Sequence, residues 1–480
     1  MKFGLALSGL QSYVFDVSQD VADRRFTQEN AAKRLRYRST LLSLLPAVAF
    51  LKLKEADPNA REIYLGGGKL LAEASADAIE NLQRDLPELY DWLVKNSSGA
   101  LGLHWASLPD GSSLQELLKA LNAAKWRSGR DNGGHWFGSV GIQPITKQSQ
   151  DDRAAFESEQ GGRLPRPPRI VGFKTGQYGW EVGPWRIQPT EHDPDIGLTG
   201  KANGRVNLGL PLYAPLDRDD SVSELFKLAE EGQGAPYLAL LKLDGDGIGN
   251  RMKDALDKGE QQYEETSRQL TGFFCQRVPE MLEKEYPRLY LVYSGGDDLV
   301  LTGHFWGVLR AAGQIQREFA ALGLGTVSAG VSFYSRNYPI LKAVESADVQ
   351  LDIAKEERNR ISIAGSLHPW PQFHKATELT DALVHAIAEK SINRGALQLL
   401  RHLGEPFLPG APEPFKNMRY HSIPQFAYLR SRRNEWKTSQ WPKPLQDFFE
   451  SLSNEETDWP IASLVGTLAG WNTKTRQEEP

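Results

Sequence analysis

Four aspartates at the ends of two apolar runs are the residues most able to do chemistry. Tyr290–Gly303 reads Tyr-Leu-Val-Tyr-Ser-Gly-Gly-Asp-Asp-Leu-Val-Leu-Thr-Gly, two strand-like runs around a tight Gly295-Gly296-Asp297-Asp298 turn. The glycines allow the turn, and the two carboxylates stand at its tip. Upstream, Leu240–Gly247 ends a second apolar run in Asp244-Gly-Asp246-Gly. Carboxylates from neighbouring strand ends suit a divalent cation that carries nucleotide phosphates, because Mg²⁺ takes one or two carboxylates plus substrate oxygens. Such a site neutralises charge on a phosphate and lowers the pKa of an attacking hydroxyl. Gly-Gly-Asp-Asp alone is equally consistent with a solvated hairpin tip. The second acidic strand end, in its place within the element order below, favours the metal reading.

Those strand ends need elements to hold them. In the first part of the chain, residues 2–8 read as a strand ending at Ser8-Gly9, and 31–45 as a helix. Residues 63–65 and 69–72 read as strands around Gly66-Gly67-Gly68; a helix within 76–95, a strand near 100–106 and a helix near 113–126 follow. Residues 237–364 repeat this order. A strand (237–243) leads to a long helical region, interrupted near Gly259, then to the paired strands 289–293 and 299–302. A helix (305–322), a strand (326–333), a helix (339–357) and a short strand (361–364) complete it. Both segments run β-α-β-β-α-β, the split arrangement of ferredoxin-like domains. The expected fold class is α+β: two ferredoxin-like (βαββαβ) domains, an insert rich in Gly, Pro and Trp, and a C-terminal helical domain. The boundaries are 1–129, 130–236, 237–366 and 367–480, with His368–Gln372 read as a linker. The two copies form a divergent duplication. Ser8-Gly9 falls where Asp244–Gly247 falls, and Gly66–Lys69 where Gly295–Asp298 falls, with the carboxylates gone.

Composition sets the outer limits. With 480 residues, 40% hydrophobic and 24% charged, the chain reads as an ordinary globular protein of two to four domains. A net charge of −5 restricts any polyanion contact to a local patch. The single cysteine, Cys275, excludes an intrachain disulfide and a thiolate zinc ribbon, and fits a reducing compartment. No run is long and apolar enough for a membrane span, and the N-terminal apolar run is too short for a secretory signal.

The Gly-Gly-Asp-Asp turn, with Ala347–Asn359 downstream, resembles the palm shared by GGDEF diguanylate cyclases and the large polymerase/cyclase subunit of type III CRISPR effector complexes. Ser8–Gln11, the Lys33–Ser39 run and Gly66–Gly68 resemble the first palm of that CRISPR subunit. Ser328-Ala-Gly330 and Ala354-Lys355 resemble its second. The resemblance covers about residues 1–105 and 237–365. It implies a cytoplasmic cyclic oligoadenylate synthetase, which joins ATP 3′–5′ with Mg²⁺ or Mn²⁺ and releases pyrophosphate. The enzyme would act with other effector subunits, guide RNA and target RNA. Carried over by position, Asp297, Asp298 and Asp244 would bind metal, and Asp246 would complete the catalytic set. Ser8, Gly9 and Gly66–Gly68 would approach a second nucleotide. Two departures from the family are expected: the sequence reads as starting at the first palm rather than at an HD nuclease domain, and with a single cysteine it offers no cysteine pairs for a zinc ribbon. His192-Asp193 is the only His-Asp pair and reads as a loop. The other readings are a GTP-using diguanylate cyclase, which usually pairs two identical chains, and a non-enzymatic scaffold subunit.

Smaller signals have two readings each. Lys33, Arg34, Arg36 and Arg38 suit phosphate or RNA, or a solvated helix face. Lys355 and Arg358 can reach a triphosphate or simply suit a helix C-terminus. Ser294, with Gly295 and Gly296, can contact a nucleotide or serve only the turn. Cys275 reads as packing.

Overall fold

The computed structural model describes residues 1–15, 31–97, 99–127, 155–159, 172–174, 180–190, 213–218, 222–336, 338–408, 418–432, 441–454 and 458–474. The chain divides into two compact units. The first comprises Met1–Leu225, Gly247–Leu301 and Pro339–Leu341; the second comprises Phe226–Asp246, Thr302–Tyr338 and Lys342–Pro480.

In the first unit, strands β1 (Lys2–Ser8), β2 (Arg61–Gly66), β3 (Lys69–Glu73) and β4 (Gly102–Leu108) form a sheet in the order β2-β3-β1-β4. The central strand β1 is buried from Lys2 to Leu7, as a strand covered on both faces must be. One layer holds helices α2 (Ala31–Ala56) and α3 (Ala76–Asn96). Ser75 caps α3 by accepting from Ala78 N, and its apolar stripe Ile79, Leu82, Leu86, Leu89 and Leu93 is buried. Across the sheet, α4 (Leu114–Arg127) packs Leu114, Leu117 and Leu121 against Ala6, Leu71 and Tyr263.

Helix α2 corrects one expectation. Arg36 and Arg38 are buried, so these two belong neither to a solvated face nor to an open RNA surface, while Lys33 and Arg34 are half-buried. The Arg38 guanidinium donates to Glu157 (3.0 Å) and to Tyr13 O (2.8 Å); Arg34 donates to Glu157 at 3.2 Å. A buried carboxylate between two guanidiniums compensates charges that burial would otherwise penalise. Sequence periodicity could not supply Glu157, which lies far along the chain.

The second sheet has the order β13-β12-β11-β8-β10-β9. Its strands are β8 (Leu238–Gly245), β9 (Tyr290–Gly295), β10 (Asp298–His304), β11 (Val327–Tyr334), β12 (Arg360–Ile363) and β13 (Ser366–Pro369). β8 pairs antiparallel with β11 in a register that sets Asp244 beside Ser328. The helix Ile340–Glu357 crosses β11 at Gly330, where a Cβ would lie 2.2 Å from Leu351 N. Only glycine allows that approach, which accounts for the Ser-Ala-Gly sequence.

His368–Gln372 is no linker. His368 lies in β13, and the helix Trp370–Ala388 starts at once, with Pro371 in its first turn where no amide partner is lost. Buried Trp370 donates to Val327 O at 2.8 Å. The helices Gly395–Gly404, Lys443–Asn454 and Trp459–Asn472 follow, and Arg419–Arg432 adds one that the sequence reading omitted. A three-stranded sheet, β5 (Gly172–Lys174), β7 (Trp185–Thr190) and β6 (Trp180–Val182), lies in the insert. His192-Asp193 and Leu164–Arg169 lie outside the described residues. Among the described residues no helix is long and apolar enough to cross a membrane.

Candidate active site

In the first unit two glycine turns meet. Gly67 and Gly68 have φ of +54° and +73°, the left-handed pair of a two-residue hairpin. A Cβ on Gly295 would lie 3.0 Å from both N and Cα of Gly67, and a Cβ on Gly67 would lie 3.3 Å from Gly296 N. The carboxylate-free turn thus rests against the backbone of the Gly-Gly-Asp-Asp turn. Asp297 and Asp298 are half-buried. Gln11 Nε2, one residue into α1 (Leu10–Phe15), donates to Asp298 Oδ2 at 3.2 Å.

The tyrosines behind these carboxylates stay protonated. Burial raises the Tyr293 phenol well above its usual range, and the nearby Asp298 charge adds to it. Tyr64 is raised first by burial and further by charges that include Asp297 and Asp298. Beside them a cavity of about 320 Å³ is lined by Glu62, Tyr64, Gly66–Gly68, Arg268 and Tyr293, among others. Burial raises the Glu62 carboxyl, and Arg268 opposes that shift.

Ser294 is corrected here. It is fully buried and its hydroxyl donates to Phe274 O at 2.7 Å, so it ties the hairpin to a helix rather than facing a nucleotide. Phe274 lies in Gly272–Arg277, a π-helical segment whose shifted carbonyls make such a bond available. Cys275 in the same segment is buried, and burial pushes its thiol up to about 12, which fits packing. Ser8 Oγ is 2.8 Å from His104 Nε2. Gly9 has φ +76°, and a Cβ there would sit 1.8 Å from Ala100 O.

In the second unit, Asp244 and Asp246 differ sharply. Both Asp246 oxygens are committed: Thr326 Oγ1 (2.7 Å) and Asn359 N (2.9 Å) donate to Oδ2, and Ser328 Oγ (2.7 Å) donates to Oδ1. Asp244 Oδ2 instead meets Lys355 Nζ at 3.0 Å. Burial raises the Asp244 carboxyl, against the pull of Lys355. Arg358 and Asn359, at φ +55° and +50°, end the helix that carries Lys355.

Among the described residues no group of three or more His, Cys, Asp or Glu side chains is gathered as a metal cage. The donors still suit Mg²⁺, which is held by one or two carboxylates together with substrate phosphates rather than by an all-protein cage. Within the first unit Asp297 and Asp298 offer hard oxygens of that kind; within the second Asp244 does, while Asp246 is spent on hydrogen bonds. Sequence reasoning missed Gln11, Tyr64, Lys69 and His104. For His104 a signal existed: it is a polar residue at an inward position of a strand.

Comparison with known proteins follows this geometry. Residues 237–364 match the sequence model of the Cas10/Cmr2 second palm domain. Over 208 residues the chain is 29% identical to "CRISPR system single-strand-specific deoxyribonuclease Cas10/Csm1 (subtype III-A)" of Enterococcus italicus, covering 42% of this chain and 26% of that protein. The crystal structure of Csm1 in T. onnurineus superposes with a TM-score of 0.67 at 17% identity, covering 99% of this chain and 69% of that one. A Csm1-Csm4 cassette in complex with cA4 superposes with a TM-score of 0.64 at 17% identity, covering 98% and 69%. The matches span 14% to 26% of the curated relatives' own lengths. Fold and site together define a palm-domain protein. Segment 237–364 matches the Cas10/Cmr2 second palm, and part of the chain is similar in sequence to Cas10/Csm1 proteins of type III-A CRISPR systems.

Proposed function

We propose that this chain is a metal-dependent nucleotidyl cyclase. It joins ATP 3′–5′ into cyclic oligoadenylates and releases pyrophosphate, within a cytoplasmic, RNA-guided type III CRISPR effector complex. The observation that carries the reading is the approach of Gly67 to Gly295 and Gly296, which sets a turn with carboxylates against one without. The glycine turn itself then brings no negative charge to compete with a second nucleotide's phosphates. The strand orders β2-β3-β1-β4 and β11-β8-β10-β9 support two ferredoxin-like palms; of the expected boundaries 1–129, 130–236, 237–366 and 367–480, the last falls inside β13 and moves to the end of that strand. The cA4-bound Csm1-Csm4 relative supports a cyclic oligoadenylate product and a Csm4-type partner subunit. Guide RNA and target RNA reach the chain through that assembly. The deoxyribonuclease named for the curated relative is not the activity proposed for the palms.

Asp244, Asp297 and Asp298 hold Mg²⁺ or Mn²⁺ in this reading. When bound there, such a cation would supply charge neutralisation for phosphate and a lowered pKa for an attacking hydroxyl. Asp246 fixes the end of β8 through Thr326, Ser328 and Asn359. Gln11 orients Asp298, and the protonated Tyr64 and Tyr293 phenols back the turn. Ser8, Gly9, Gly66–Gly68, Gly295 and Gly296 approach nucleotide. Lys355 leaves Asp244 for the triphosphate, and Arg358 follows on the same helix end. Nucleotidyl transfer of this kind rests on positioning and charge.

The test incubates the assembled, RNA-bound complex with each labelled nucleoside triphosphate and Mg²⁺ or Mn²⁺, and resolves the products by mass spectrometry. Cyclic 3′–5′ oligoadenylates are expected, and Asp297→Ala with Asp298→Ala abolishes them while the fold persists. Unchanged turnover in that double variant sinks the reading. A scaffold role is favoured by one observation, the Lys355–Asp244 pair that occupies a carboxylate; no product from any nucleotide would support it. A product from GTP alone would point to diguanylate cyclase chemistry.

A further inference from the structure

Charges of alternating sign gather at one end of the first sheet. The strand register sets Lys2 opposite Glu73 and Glu73 opposite Arg61, so the three side chains share a row and a face. Lys2 Nζ lies 3.3 Å from Glu73 Oε1, and Arg61 Nη2 lies 2.9 Å from Glu73 Oε2. The helix Glu260–Thr271 brings two more carboxylates, Glu260 and Glu264, one turn apart on the same helix face. Glu260 Oε2 meets Lys2 Nζ at 2.6 Å, and Glu264 Oε1 meets Arg61 Nη1 at 2.5 Å. Leu114 N also donates to Glu260 Oε1, at 2.8 Å. The chain of pairs Glu260–Lys2–Glu73–Arg61–Glu264 alternates in sign throughout. The side chains of Lys2 and Glu264 are only 10% and 15% exposed, so salt screens their pairs weakly.

This network stands at the end of the sheet away from Gly66–Gly68. Strand β2 runs from Arg61 to Gly66, roughly 17 Å at ordinary strand rise. The helix Glu260–Thr271 has 12 residues, which cover about 18 Å. It therefore reaches from the network to the glycine turn, where a Cβ on Gly66 would lie 3.6 Å from Thr271 Oγ1. Just beyond, Phe274 O accepts the Ser294 hydroxyl, and Ser294 leads directly into Gly295. Gly295 in turn meets Gly67, the residue after β2. The path closes on itself: charge ties the start of β2 to the helix, and the helix holds the turn that meets the end of β2. Between those ends Tyr263 packs with Ala6, Ile63 and Leu71. Apolar contact is non-directional, so the ion pairs fix where the helix sits along the strand.

We propose that Lys2, Arg61, Glu73, Glu260 and Glu264 are positioning residues for nucleotidyl transfer. They set the helix Glu260–Thr271 as a strut that holds the Gly-Gly-Asp-Asp turn at its distance from Gly67. None of the five touches the carboxylate pair Asp297 and Asp298; their effect passes through Phe274 and Ser294. The inference rests on the cyclase reading for its effect on turnover, and on the contacts alone for its effect on the turn.

The test compares Arg61→Met, Arg61→Lys, Glu260→Gln and Glu264→Gln with the parent chain. Hydrogen exchange is followed on the full chain, and ATP turnover in the assembled, RNA-bound complex. In Arg61→Met and Glu264→Gln, amide exchange over 272–277 and 294–298 quickens about tenfold, while exchange in β1 and β11 stays as in the parent. The kcat falls about fivefold with KM for ATP unchanged, the signature of lost positioning rather than lost binding. Arg61 is half exposed and Glu264→Gln is nearly isosteric, so Tm moves by no more than about 2 °C. Glu260→Gln, at the other end of the chain of pairs, is an independent probe with the same expected pattern. Arg61→Lys keeps the charge and retains most of the turnover. Exchange and kcat that match the parent in all the uncharged variants overturn the proposal. So does exchange that quickens evenly over the whole first unit with a falling Tm, which would mark general loosening. Absence of product from the parent complex sinks the cyclase reading instead, and exchange over 272–277 and 294–298 then upholds or overturns the strut by itself.

Discussion

Lys355 Nζ lies 3.0 Å from Asp244 Oδ2, so an ammonium already stands beside a carboxylate proposed to bind metal. Asp246, two residues away, accepts three hydrogen bonds and faces no cation in them. Adjacent aspartates of one strand end therefore have different tasks, one exchangeable and one fixed.

If Lys355 competes with metal for Asp244, Lys355→Met raises Mn²⁺ affinity without nucleotide. The pair is partly exposed, so the gain is at most about fivefold, the range of exposed ion pairs. Paramagnetic titration of Mn²⁺ reads it. ATP turnover falls in the same variant, because the lysine no longer reaches the triphosphate. Unchanged Mn²⁺ affinity would mean that the pair is surface electrostatics only.

Asp246→Ala strips the partners from Thr326 Oγ1, Ser328 Oγ and Asn359 N. The expected loss is about 2–4 kcal/mol, as for a charged acceptor removed from several donors. Urea unfolding checks it. Asp246→Asn retains one acceptor oxygen and loses less.

Gly295→Ala sets a Cβ 3.0 Å from Gly67 backbone atoms, so the two turns must part by a few tenths of an ångström. Stability changes little, since neither turn is forced to a new φ. Turnover drops roughly tenfold, because catalytic geometry is sensitive to sub-ångström displacement. Gly67→Ala is harsher: at φ +54° a side chain adds about 1–2 kcal/mol of backbone strain.

His368 is fully buried, and neither ring nitrogen has a hydrogen-bond partner among the described residues. Burial lowers its pKa from 6.5 to about 4. Between those values the unfolded chain binds a proton that the folded chain refuses, so stability falls as pH drops from 6.5 toward 4 and levels off below. The full contribution is on the order of 3 kcal/mol. His368→Phe flattens that part of the profile in urea unfolding at stepped pH. His374, lowered to about 4 by burial and then by Arg317, keeps some of the slope.

Much of the fold could be read along the chain. The alternation of apolar runs and glycine turns predicted every strand of both sheets except β13, and the break at Gly259, because these signals are local. Helix α2 was predicted over 31–45 but continues to Ala56, since Pro46 is accommodated inside it. His368–Gln372 misled because Pro371 suits both a linker and the first turn of a helix. Burial of Trp370 against Val327 decides for the helix.

The sequence by itself determined the element order, the glycine turns and the acidic strand ends, because each follows from residue type and spacing within a few positions. Tertiary structure alone decided which aspartate is free to exchange partners, since Thr326, Ser328 and Asn359 reach Asp246 only after β11 and the end of the helix Ile340–Glu357 are in place. It also turned Arg38 inward onto Glu157 and spent the Ser294 hydroxyl on Phe274. Finally, it gathered Lys2, Arg61, Glu73, Glu260 and Glu264 into one network of ion pairs. Hydrogen bonds and desolvation depend on residues distant in the chain, and spacing along the sequence carries no record of them.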